Sequence, residues 1–384
     1  MSLLEKLGSL YRGFEFLQVV VVLAFLAAFP PLCLVNGMYG GALITSALGL
    51  FGLWWAFDAV TLWVGEKKRK ALKGLLLVMH CVIITISLVQ LIRPPGDQWV
   101  QVEGSGEWNN TRVARNQTTI WAHSGGPKIW KVDPKTAKAT SFGQQVERFA
   151  SAFDASSTHV WTAPTTGVTL AGYDIKTGQP SWIKRPAGSL RAFVAGEDML
   201  WMTIDRGLWS FDLSRRQWRP HLESARVHEV CHHKNQVVAI GRRQWHESLD
   251  GGKTWRDITP KTGVPSHWYQ CAVRQSVWVY EGGMFEGLLW VREQGQWHQR
   301  PLPVRDIRVL EVDPTQTQRA ILGSWGKGIW ETTDGGKTWR DLGLHGFEVR
   351  RLSFLPGTNT LVVASSNTVF RRGLWLYRPW SGKR

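Results

Sequence analysis

Acidic side chains, cysteine and tyrosine are all scarce in this 384-residue chain: 30 Asp+Glu stand against 46 Lys+Arg, with 4 Cys and 6 Tyr. No stretch resembles a serine triad, a phosphate loop or a Cys-x-x-Cys-His haem attachment, so those chemistries lack their motifs and no cofactor is expected. Long apolar runs are missing after Pro94, which confines candidate membrane spans to the first quarter of the chain. The shortage of acid is uneven. Residues 1–97 carry 8 Lys+Arg and 5 Asp+Glu, and residues 98–384 carry 38 and 25. The larger part is basic enough to favour anionic partners.

Three apolar runs lie in the first quarter: Phe16–Val35, Ala42–Val64 and Leu72–Ile92. Each is about the 20 residues that cross a bilayer, so three transmembrane helices are expected over 16–93. Lys67–Lys70 lies between the second and third runs, and the Asn36–Gly41 loop is uncharged. The positive-inside rule then places residues 1–15 in the cytoplasm and everything after Arg93 outside, as in a bacterial inner-membrane protein with a periplasmic domain. Asp58 and His80 fall within the runs; pairing with the basic loop and helix packing are the expected roles. Residues 94–97 read as a linker, and 381–384 as a tail.

What is abundant is tryptophan (23) and glycine (39), a composition suited to an all-β repeat fold. Tryptophans recur at 182, 218, 255, 297 and 339, and again at 121, 161, 201 and 278. The strand–turn pattern divides into seven units, about 111–143, 146–186, 190–222, 227–259, 268–303, 307–343 and 349–380. The last lacks a fourth strand. Gln98-Trp-Val-Gln-Val102 matches the other Trp-led strands and supplies it. The expected fold is a seven-bladed β-propeller over 98–380, closed by its N-terminal strand.

Two segments are nearly identical: Ser248-Leu-Asp-Gly-Gly-Lys-Thr-Trp255-Arg-Asp and Thr332-Thr-Asp-Gly-Gly-Lys-Thr-Trp339-Arg-Asp. Ser248, Asp250, Gly252, Thr254 and Trp255, with Thr332, Asp334, Gly336, Thr338 and Trp339, resemble the Asp-box hairpin of sialidases, sortilin-type receptors and photosystem II assembly-factor propellers. The spacing fits a structural role. The aspartates can accept amide bonds within their own turns, and the glycines supply positive φ.

The starts of the innermost strands carry Arg112, Arg148, Arg191, Arg226, Arg308 and Arg350 or Arg351. A cationic ring at one channel mouth is expected, drawing an acidic protein segment or an anionic head group; the resemblance, whose assembly factors have an arginine patch, implies the same. Cys231 and Cys271 align on adjacent strands and could bridge. His228, Cys231, His232 and His233 alternate between strand faces and do not converge, so no metal site is expected. A sialidase would need a Phe/Tyr-Arg-Ile-Pro motif, which is absent. The expected function is a non-catalytic, membrane-anchored scaffold, assembly factor or accessory subunit, with membrane-protein subunits and lipid as partners and no nucleic acid. The alternative is a tethered sialidase-like glycoside hydrolase or lyase acting on anionic sugars.

Overall fold

The computed structural model describes residues 66–92, 99–103, 112–115, 119–123, 128–142, 150–164, 167–205, 207–223, 226–260, 268–283, 286–355, 360–366 and 373–377, with a few isolated positions before 66. Two compact units emerge: Met1–Pro94 with Asn367–Phe370, and Pro95–Ser366 with Arg371–Arg384.

In the first unit, α1 (Glu66–Ile92) is 27 residues long. It takes the Lys67–Lys70 cluster into its own first turns, where the sequence suggested an inter-span loop. It buries His80 and Ser87 and exposes Leu75, Leu77, Val78, Val82 and Val89. The runs Phe16–Val35 and Ala42–Val64, with Asp58, lie outside the described residues apart from isolated positions. Among the described residues no helix is long and apolar enough to cross a membrane. The three-helix anchor, and with it the integral-membrane placement and the periplasmic side, is corrected accordingly.

The second unit is a β-propeller of antiparallel sheets. Sheet one is β2 (Arg112–Arg115), β3 (Ile120–His123), β4 (Ile129–Asp133) and β5 (Lys138–Phe142). Sheet two is β6 (Ala150–Ala155), β7 (His159–Pro164), β8 (Thr169–Asp174) and β9 (Pro180–Lys184). Sheet three is β10 (Leu190–Ala195), β11 (Met199–Ile204), β12 (Gly207–Asp212) and β13 (Gln217–His221). Sheet four is β14 (Val227–His233), β15 (Gln236–Gly241), β16 (Trp245–Ser248) and β17 (Arg256–Asp257). Sheet five is β18 (Trp268–Val273), β19 (Val277–Gly282), β20 (Gly287–Glu293) and β21 (Gln296–Arg300). The last sheet has six strands, in the order β1 (Trp99–Gln101), β26 (Gly373–Tyr377), β25 (Leu361–Ser366), β24 (Arg340–Phe354), β23 (Ala320–Thr332) and β22 (Ile307–Val312).

Six sheets therefore stand where seven separate blades were expected. The cause is strand continuity. β24, 15 residues long, runs unbroken through the expected boundary between the units 307–343 and 349–380, and β23, 13 residues long, runs unbroken through an expected turn inside the first of them. Gly326, Gly328, Gly343 and Gly346 take positive φ at those points, and Trp325 pairs with Glu348 across them.

The N-terminal strand closes the ring: Trp99 pairs with Tyr377 and Gln101 with Trp375. The Trp99 indole also donates to the Leu342 carbonyl at 2.6 Å. Val102, Val113 and Ile120 pack with Val362, Leu374 and Leu376, joining the first sheet to the last. Similar apolar clusters lie between the other sheets, and Trp121, Trp161, Trp201 and Trp278 are buried in them. A fully buried aromatic of this size contributes about 3 kcal/mol or more over truncation to alanine.

Candidate functional site

The geometry of the sheets gives the propeller two distinct ends. The innermost strands β2, β6, β10, β14, β18, β22 and β24 touch in turn around the axis. In each antiparallel sheet the turn between the third and fourth strands lies at the end opposite the start of the innermost strand.

At the turn end the two repeated segments adopt one hydrogen-bond pattern. Ser248 Oγ donates to Asp250 Oδ1 at 2.7 Å and accepts from the Gly252 amide at 2.7 Å. Asp250 also accepts from the Thr254 hydroxyl at 2.6 Å and from the Lys253 and Thr254 amides, both at 2.9 Å. Thr332, Asp334, Gly336 and Thr338 repeat the arrangement at 2.6–3.0 Å. The threonine hydroxyl, then the threonine amide, hold both carboxyls well below the usual carboxylate range. A Cβ on Gly252, whose φ is +87°, would stand 2.6 Å from Trp201 of the preceding sheet. Gly336 meets Trp278 in the same way, at 3.3 Å. The glycines thus let each turn lie against a buried tryptophan. Trp255 packs edge-on against Trp201 at 6.3 Å, and Trp339 donates to the Pro301 carbonyl at 2.8 Å.

Sequence reading missed two partners of this turn. Glu247 and Glu331 precede the boxes, and Arg256 and Arg340 follow their tryptophans. Glu247 is 1% exposed; Gln236, Arg256 and Arg292 donate to it at 2.7, 2.7 and 2.8 Å. Burial pushes its carboxyl up, and these three donors outweigh burial and hold it below the ordinary value. Glu331 accepts from Arg319 at 2.8 Å and pairs with Arg340. The signal was available, because both residues recur at a fixed offset in the duplicated segments.

The arginines lie at the other end. Register shifts between Ala150/Ala152, Leu190/Ala192, Val227/Glu229, Ile307/Val309 and Val349/Arg351 place one β-bulge at the corresponding point of five innermost strands. The bulged residues are Ser151, Arg191, His228, Arg308 and Arg350. Arg191, Arg308 and Arg350 are therefore structurally equivalent. Arg226 stands two residues before its bulge, next to the Arg242–Arg243 turn. The side chain of Arg112 and all of Arg148 fall outside the described residues.

The described arginines differ in setting. Arg191 is half-exposed and pairs with Asp205 at 3.0 Å. Arg308 stacks over Trp325 at 4.1 Å and pairs with the buried Asp306 at 3.1 Å. Arg350 pairs with the buried Glu348 at 2.9 Å. Burial raises the Asp306 carboxyl to about 6, against the pull of Arg308. On β14, burial, then Arg191, Arg242 and Arg226, depress His228.

Cys231 and Cys271 form a disulfide between β14 and β18, with Cα atoms 5.8 Å apart. His228 packs on Tyr269 at 5.6 Å and His232 on Trp201 at 6.3 Å. Among the described residues no group of His, Cys, Asp and Glu could hold a metal ion.

This architecture and its tryptophan-filled interfaces define a β-propeller protein. Among solved structures the chain is similar to the extracellular domain of the two-component system BT4673 from B. thetaiotaomicron (13% identity, 74% of this chain and 40% of that one, TM-score 0.57). It is also similar to YCF48 bound to D1 peptide (13%, 74% and 98%, 0.54), and to the GH74 enzyme of Niastella koreensis (14%, 71% and 53%, 0.54). At these identities the likeness is one of fold. No family model matches the chain, and no curated protein matches it.

Proposed function

We propose that this propeller is a non-catalytic interaction platform, a scaffold or assembly factor within a protein complex, whose arginine-bearing mouth receives an acidic segment of a partner. The observation that carries the reading is the repeated bulge, which brings Arg191, Arg308 and Arg350 to one end of the channel and sets Arg226, Arg242 and Arg243 beside them. Guanidinium groups grip carboxylates with paired, directional hydrogen bonds. That one similar propeller is described as bound to a peptide supports protein partners in general. The test is binding of a fluorescent oligoglutamate peptide to the full chain and to a R191Q/R226Q/R350Q variant. Binding that falls steeply with salt and is lost in the variant is expected; binding unchanged by the substitutions refutes the reading.

One observation favours a second reading, a glycoside hydrolase or lyase acting on anionic sugars. Asp306 and Glu348 are buried carboxyls at the same mouth, each paired with an arginine. Release of reducing ends or unsaturated products from an anionic polysaccharide, abolished in D306N and E348Q variants, would establish it in place of the first.

A further inference from the structure

One layer of the channel differs in chemistry from the mouth above it. After each bulge the innermost strand resumes its pairing: Ala152 with Ala163, Ala192 with Thr203, Glu229 with Ile240, Val309 with Gly323 and Arg351 with Ala364. Ala163 and Thr203 lie two residues beyond the buried Trp161 and Trp201. By the same count from Trp278, the member of this layer on the unbulged β18 is Gln270, which pairs with Tyr280. Ala152, Ala192 and Val309 are small, apolar and buried. Glu229 and Arg351 place opposite charges in that layer, from strands separated round the axis by β18 and β22.

These two charges act on each other through space. They are nevertheless not joined by an ion pair. Glu229 Oε1 accepts from the adjacent Val230 amide at 3.3 Å. The Arg351 guanidinium donates to the carbonyl of its neighbour Arg350 at 2.9 Å. Burial raises the Glu229 carboxyl to about 7, with Arg351 opposing, and depresses Arg351. Both residues are half-buried, and holding two partly desolvated charges apart costs stability. The remaining donors of Arg351 and the carboxylate of Glu229 are complementary to one molecule placed between them.

We propose that Glu229 and Arg351 are the two ends of a ligand site inside the channel for a small amino-carboxylate the size of a free amino acid. The ligand's carboxylate sits on the Arg351 fork and its ammonium on Glu229, with Gln270 on the neighbouring strand. This site does not rest on the acidic-partner reading. It lies one layer below the mouth arginines and selects a zwitterion over a polyanion.

The test uses the full chain and three matched probes, β-alanine, propionate and propylamine, with affinities read by ligand-observed NMR. β-Alanine is expected to bind about tenfold more tightly than either half-probe, as the loss of one charge-assisted contact implies. E229Q, close in shape to the parent, brings β-alanine down to the level of propionate. R351Q brings it to the level of propylamine, and E229Q carries the test if R351Q does not fold. Equal affinity for the three probes, no binding of β-alanine to the parent, or an E229Q variant that binds it undiminished overturns the assignment.

Discussion

At the turn end of the propeller, Asp250 and Asp334 are wrapped by amides and hydroxyls of their own loops and stay ionised far below the usual range. At the mouth end, Asp306 and Glu229 are pushed the other way, to about 6 and about 7, by loss of water. The residue type is nearly the same and the net shift has opposite sign. What decides it is how many donors reach the carboxylate. Turns with four donors to the carboxylate tolerate exposure and hold the hairpin. Carboxyls at the mouth, with few donors, are poised to change state or partner.

The sharpest way to break this contrast is at Glu247, the buried acceptor beside the first box. E247A removes the buried acceptor that Gln236, Arg256 and Arg292 share and is expected to cost about 3–5 kcal/mol, read from a urea midpoint, with peptide binding at the mouth unaffected. pH separates the two ends next. The depressed Asp250 and Asp334 contribute stability that is present above their ordinary value of 3.8 and lost as pH falls below it. The raised Glu229 and Asp306 contribute stability that is complete below their ordinary values of 4.5 and 3.8 and lost as pH rises through about 7 and about 6. In melting curves from pH 3 to 8, D334N should cost stability at neutral pH and flatten the acid limb, and E229Q should flatten the decline between about pH 4.5 and 7; a D334N deficit that stays unchanged down to pH 3 would defeat the comparison.

Smaller effects test the fit of the turns. G252A meets Trp201 and an unfavourable φ together, and is expected to cost about 1–3 kcal/mol. G336A, where the nearest atoms stand at 3.3 Å, should cost less. W339F forfeits the bond to the Pro301 carbonyl and should lose about 1 kcal/mol. Smallest of all is R226Q at the mouth, expected to leave stability within about 0.5 kcal/mol while weakening the oligoglutamate contact.

The turns of the duplicated segments were legible in sequence, because a short-range hydrogen-bond pattern is written in consecutive residues, while their buried glutamates were not. The N-terminal closing strand was legible for a related reason: Gln98-Trp99 carries the same local signature as the other Trp-led strands. Aligning neighbouring strands brought Cys231 and Cys271 side by side and left free thiols or a bridge open; the structure has the bridge. Other features depend on distant partners and leave no local mark. The bulge moved the equivalent of Arg226 to His228, and that of Arg148 to Ser151. The fusion of two expected blades rests on whether β23 and β24 bend or break at their glycines. The opposition of Glu229 and Arg351 exists only once the ring is shut. The apolar run Leu72–Ile92 illustrates the reverse case: a strong local pattern led to an expected anchor, yet among the described residues no helix is long and apolar enough to cross a membrane.

Trp99 seats its indole on Leu342, 243 residues later in the chain, and β1 finds β26 only after Tyr377 has been made. During synthesis, then, the first-made strand of the propeller waits longest for a neighbour, and both borders of the growing ribbon of sheets stay open to other molecules. Closure brings the longest-range contacts of the domain and is the slow, vulnerable moment of its assembly. A crowded translation site would punish delay there with strand-to-strand association between nascent copies.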